Sequence, residues 1–308
     1  MQTFSVGQSA LGSQEARTAA PPPHPVTAER LHYLDPMRGL LMMLGVVLHT
    51  ASVFSLSGTW VVWDRENASG WMTQLGEFIH VFRMPAFFVV SGLLFARSVR
   101  SRGVGQVLRA RLVRIGVPLI VVMLTVNTSE RLLVLQASGS DLSAEEFLLN
   151  ELVSGHWLGH LWFLFVLLGL MTTAALGNRA LVRVAKSLPT RTGILLPVLA
   201  PGLVVGIHAA AKIIEPLNWL FMSITPATWL VSFTFFASGC VMGHRDDILQ
   251  GFARLQAPLV ALPIYALAWA ASPNRVLEVY SATVLSWIGV TVCFIVFASL
   301  FIGRPSER

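Results

Sequence analysis

Apolar runs long enough to cross a bilayer recur along this chain, and no other feature constrains its fold as strongly. They lie near 37–57, 76–97, 113–128, 157–177, 193–212, 226–243, 257–272 and 281–302. Each approaches the ~20 residues an α-helix needs to span ~30 Å of hydrocarbon. A lone segment in lipid must satisfy its backbone internally, so each run is predicted to be helical. Composition agrees: of 308 residues, 54% are hydrophobic and 12% charged, whereas a soluble domain carries about a quarter charged residues. The expected fold class is therefore all-α, a polytopic integral membrane protein of about eight transmembrane helices. Residues 1–30 differ, being polar, containing Pro21-Pro22-Pro23 and lacking the apolar core of a signal peptide. They are predicted to be a disordered cytoplasmic tail, leaving 31–308 as the transmembrane domain. Cys240 and Cys293, the two cysteines, both fall inside apolar runs, so no disulfide framework is implied.

Orientation follows from the basic residues. With a cytoplasmic N-terminus and eight spans, 17 of the 22 lysines and arginines lie inside or at the inner boundary. Only Arg65, Arg131, Lys212 and Arg275 then face outward, and Arg83 lies within a span. The positive-inside rule selects N-in, C-in. The net charge of +6 resides largely in cytoplasmic loops and requires no nucleic-acid partner.

Ionisable groups inside spans are costly, at ~2.5–3.5 kcal/mol on insertion scales, and so usually face a cavity or a partner. The first span opens Leu34-Asp35-Pro36-Met37-Arg38-Gly39 and runs apolar to His49. Eleven residues separate Arg38 from His49, which is ~16 Å along a helix and almost a return to the same face. In the second span Glu77, His80 and Arg83 step by three toward Met84-Pro85. A Glu77–Arg83 ion pair joining helices is the plain structural reading; two histidines at similar depth also suit a reactive site. Pro85 is expected to kink this helix. Asp35 suits a helix cap or an arginine partner.

Arg97, Arg100, Arg102, Arg109, Arg111 and Arg114 follow, with no lysine among them. Guanidinium forks favour bidentate phosphate binding, although attraction to anionic headgroups explains Arg97 to Arg102 equally well. Arg111 and Arg114 enter the third span at spacing i, i+3. The fourth span opens His156-Trp157-Leu158-Gly159-His160-Leu161-Trp162. His156 and His160 have metal-ligand spacing but no third ligand in reach, so no metal site is expected.

These elements together resemble acyltransferase family 3: Leu34-Asp35 to Arg38 followed by His49, then Phe82-Arg83-Met84-Pro85-Ala86-Phe87-Phe88 to Ser91-Gly92, Arg111 to Arg114 before Pro118, and His160-Leu161-Trp162-Phe163-Leu164. Within the family the chain is most similar to the glucan biosynthesis C group, which succinylates periplasmic glucans, through Phe78 to Met84, Arg111 to Pro118 and Glu151 to Leu168. Members usually carry about ten spans, so this chain is expected to lack the last helix pair.

The resemblance implies a cytoplasmic acyl-CoA donor (succinyl, acetyl or longer) and a hydroxyl of an extracytoplasmic glycan as acceptor, in the inner membrane of a bacterium. Arg38, Arg111 and Arg114 would bind the donor phosphates, and no cofactor is held permanently. His49 would take the hydroxyl proton or carry the acyl group. Arg83 would stabilise the oxyanion, Glu77 or His80 would orient His49, and His160 and Trp162 would touch the acceptor. Acyl-CoA, the glycan and the bilayer are the expected partners, with a homodimer left open. A transporter, a lipid-linked sugar translocator and a catalytically inactive short form are the competing readings; no inverted repeat supports the first two.

Overall fold

The computed structural model describes residues 33–57, 63–137, 156–217, 224–271 and 274–302, with isolated positions between 139 and 151. The predicted tail, 1–30, lies outside the described residues. Apart from one isolated bridge between Ser55 and Ser69, the regular structure described is helical.

The apolar runs become helices at the expected places. Helix α1 (Leu34–Val53) and the long α2 (Gly70–Arg102) form a hairpin. Helix α2 begins at Ser69, whose side chain accepts from the Met72 amide as an N-cap. It continues as one helix through Pro85. Asp35 lies exposed in the first turn of α1, where the N-cap position is Tyr33 and carries no side-chain cap.

The third expected span is the least regular. Helices α3 (Val104–Arg111), α4 (Val117–Val122) and α5 (Thr128–Ala137) are joined by two π turns, Leu112–Gly116 and Met123–Asn127. Helix α6 (Trp162–Leu176) then bends by 75° into α7 (Asn178–Ser187). Next come α8 (Thr192–Ile213) and α9 (Pro226–His244), and after them α10 (Asp246–Phe252), bent by 55° from α11 (Gln256–Ala270). Helix α12 (Arg275–Ile302) closes the described chain. Five of these helices are long and apolar enough to cross a membrane, or seven if each bent pair is one span. The number eight is reached only by adding the π-interrupted run, whose irregular turns the apolar pattern does not reveal.

Helix α2 is the centre of the bundle, packing most extensively against α9 and then against α1 and α12. Its contact with α9 is backbone to backbone. A Cβ at Gly92 would collide with the Phe236 carbonyl, and one at Gly239 with the Val89 carbonyl. Gly239 and Gly243 are four apart on α9, the small-residue spacing that lets membrane helices approach closely. The core beside this contact is aromatic: Phe235 stacks on Trp287 with centroids 4.8 Å apart, and Phe252 meets Trp287 and Phe294 edge-on. Large apolar side chains elsewhere point outward, among them Met43, Val46, Leu133, Leu203 and Leu267. In water such a surface would be costly; in lipid it is the outer wall. The protein is a multi-pass membrane protein.

Candidate active site

A cavity of about 430 Å³ opens at the end of the hairpin where α1 finishes and α2 begins. His49 enters it from α1, and Glu77, His80 and Arg83 enter it from α2. Trp162 and Phe163, the first two residues of α6, form another part of its wall. Residues from three helices, far apart in the chain, thus share one space.

Arg83 is the most deeply buried of them, at 9% exposure. Its guanidinium lies over Gly45 of α1, where a Cβ would come within 2.7 Å of Nη1 and 3.1 Å of Cζ. Gly45 is four residues before His49 and so on the same helix face, about 6 Å lower along the axis. Nη2 points to the Met84 sulfur at 3.4 Å. Nη1 is buried and makes no hydrogen bond among the described residues. No Glu77–Arg83 ion pair forms among them either. A buried guanidinium in a cavity wall, with an N–H left uncommitted, is a preformed donor for an oxyanion. His49 is half-buried, while Glu77 and His80, both exposed, also line the cavity.

The rest of the lining had no signal in the sequence beyond helical spacing. Ser52, Ser55, Ser57 and Thr73 rim the opening. They are tied to one another and to the backbone: Ser55 Oγ is 2.8 Å from Ser57 Oγ, and the Leu56 amide donates to Thr73 Oγ1 at 2.9 Å. Ser52 could have been found as the position three after His49. Phe163 is fixed edge-on against Phe87, centroids 5.7 Å apart.

The expected donor-binding residues lie elsewhere. Arg38, Arg111 and Arg114 are not among the residues lining this cavity. They do form a group, because Arg111 feels Arg38, Arg102 and Arg114 as like charges. Burial first, and then those three neighbours, hold the Arg111 guanidinium below its ordinary pKa. The backbone of His160 lies in a kinked turn, His156–Leu161; its side chain, and that of His156, fall outside the described residues. Among those described, no three His, Cys, Asp or Glu side chains converge as metal ligands.

A family profile described as an acyltransferase domain matches residues 31–308. The chain belongs to acyltransferase family 3. Curated relatives include "Glucans biosynthesis protein C" of Escherichia coli (strain K12) and of Shigella dysenteriae serotype 1 (strain Sd197), each 33% identical over 157 residues. Those matches cover 49% of this chain and 39% of each relative. The matched stretch therefore spans about two fifths of the relatives' length. No solved structure matches. Of the residues that carry the family resemblance, His49 on α1, Arg83 and Met84 on α2, and Trp162 and Phe163 on α6 meet at the cavity.

Proposed function

We propose that this acyltransferase moves an acyl group from a cytoplasmic acyl-CoA onto a hydroxyl of an extracytoplasmic glycan, in the inner membrane of a bacterium. The observation that carries the reading is that His49, Glu77, His80 and the buried Arg83 guanidinium line one cavity. The orientation expected from the basic residues puts that opening on the outer side and the Arg38–Arg111–Arg114 group on the inner side. A donor held by its phosphates at the arginines would extend its thioester arm up the Arg38 face of α1 toward His49, ~16 Å away.

The acceptor hydroxyl gives its proton to the imidazole, which acts as the general base. The oxygen bonds to the thioester carbonyl carbon, and the carbonyl electron pair moves onto an oxygen facing Arg83. As the carbonyl re-forms, the C–S bond breaks. The thiolate, with a pKa of ~8.5 by analogy with cysteine, leaves with little acid assistance and takes the proton back from the imidazolium. A route through acyl-His49 has the same overall balance. Glu77 and His80, at the mouth, hold the imidazole and the incoming hydroxyl in line.

The printed name of the relatives supports a glucan as acceptor, and the resemblance favours succinyl as the acyl group. Mass spectrometry of periplasmic glycans from cells with and without the gene tests both. Glucans heavier by whole succinyl groups are expected only with the gene. Identical spectra would refute the assignment.

A further inference from the structure

The turn that delivers Trp162 and Phe163 to the cavity is held by one buried amide. Asn127 closes the second π turn and is 9% exposed. Its Nδ2 donates to the Trp157 carbonyl at 2.8 Å and to the Leu158 carbonyl at 3.1 Å. Both hydrogens of the amide are thereby used, on two carbonyls that a buried turn would otherwise leave without partners. The next residue adds a second tie: Trp157 Nε1 donates to Thr128 Oγ1 at 2.8 Å. Gly159 follows with φ 46 and ψ −126, backbone that is accessible to glycine and strained for other residues. A third tie lies one turn further along α5, where Arg131 pairs with the fully buried Glu151 at 3.0 Å.

Three residues after Gly159 the chain enters α6 at Trp162, in the cavity wall. The π turn has a purpose in this arrangement, since the extra residue it accommodates sets the direction of the Asn127 side chain; such turns concentrate at functional sites. Asn127, the first residue of the sequon Asn127-Thr128-Ser129, thus has a buried side chain whose amide nitrogen is fully engaged.

We infer that Asn127 is a positioning residue for acyl transfer: through the turn 156–161 it sets where Trp162 and Phe163 stand, and so the width of the acceptor side of the cavity. The assignment of that side to the acceptor rests on the function proposed above; the mechanical claim does not. Two readouts separate them. First, cysteine is placed at the wall (Phe163→Cys) or at the opposite rim (Ser57→Cys) in the full chain in proteoliposomes, and labelling by a membrane-impermeant maleimide is timed with and without Asn127→Ala or Asn127→Asp. The aspartate keeps the size but sets a carboxylate against two carbonyls. Second, steady-state kinetics are measured with succinyl-CoA and purified periplasmic glucan.

Labelling at Phe163→Cys should change about fivefold or more while labelling at Ser57→Cys stays constant, because only the wall moves. The KM for glucan should rise about tenfold with the KM for succinyl-CoA unchanged. Trp157→Phe, which keeps the bulk and removes only the Nε1 donor, should shift both readouts in the same direction by less, and it decides the matter if the Asn127 variants do not fold. Equal change at both cysteines, or change at neither, overturns the inference. So does an equal loss for donor and acceptor. If the unsubstituted chain acylates nothing while the labelling pattern holds, the proposed function fails and the positioning role stands.

Discussion

The guanidinium of Arg83 rests on the bare backbone of Gly45, with Nη1 2.7 Å from where a Cβ would be. The contact puts a buried cation one helical turn from His49 and leaves its Nη1 uncommitted among the described residues. It also makes Gly45→Ala a test of Arg83 that leaves Arg83 in place. The methyl must push the guanidinium away, because the atoms it meets are the flexible end of the side chain. Loss of one oxyanion donor costs about 10²–10³ in kcat, so Gly45→Ala should approach that range with the KM for acyl-CoA little altered. Gly39, on the same helix, has nothing within 4 Å of its Cβ position, and Gly39→Ala is the matched control. Equal kcat in both variants would show that the Arg83–Gly45 contact does not matter to the reaction.

The α2–α9 contact should tolerate no side chain at Gly239. A methyl there meets the Val89 backbone carbonyl rather than a movable side chain. Overpacking of this kind costs about 1–3 kcal/mol. Thermal unfolding of the detergent-solubilised protein should show a lowered Tm for Gly239→Ala and an unchanged one for Gly202→Ala, whose Cβ position is open.

The Arg131–Glu151 pair is asymmetric: the Glu151 side chain is fully buried and that of Arg131 is 18% exposed. Removing the cation strands a buried carboxylate, a loss of about 3–5 kcal/mol. Arg131→Ala should therefore destabilise the protein more than Glu151→Gln, which keeps an acceptor for the arginine. The comparison is read by the same unfolding assay.

Arg38, Arg102 and Arg114 all act on Arg111, and the charges that perturb it are all cationic. Arg111→Gln should raise the KM for acyl-CoA several-fold and weaken its dependence on salt, since a screened charge contributes less at ~0.5 M than at ~0.05 M ionic strength. The KM for the acceptor should not move. A shift in acceptor KM alone would place the arginines in another role.

Much of this was legible from residue spacing. The helices stand near their expected places because apolar length dictates them. His49, Glu77, His80, Arg83 and Trp162 stood out through polarity inside apolar runs or through the family resemblance, and the fold gathers all five around one cavity. Gly45 was not legible: nothing along α1 distinguishes it from Gly39 until the partner helix is in position. Asn127 was equally hidden, because the π turn that aims it inward follows from tertiary contacts and leaves no periodic trace. The Glu77–Arg83 ion pair, the plainer of the two readings of these residues, is not made among the described residues; the guanidinium lies on the Gly45 face instead.

Whether His49 performs acyl transfer in this cavity is decided by acylation of purified periplasmic glucan. The full chain is placed in proteoliposomes supplied with succinyl-CoA, as the unsubstituted protein and as His49→Ala. Removing a general base costs about 10²–10⁴ in rate, and a loss of that size is expected in a variant that remains folded and still binds succinyl-CoA. Acylation by His49→Ala at the unsubstituted rate would remove the histidine from the reaction.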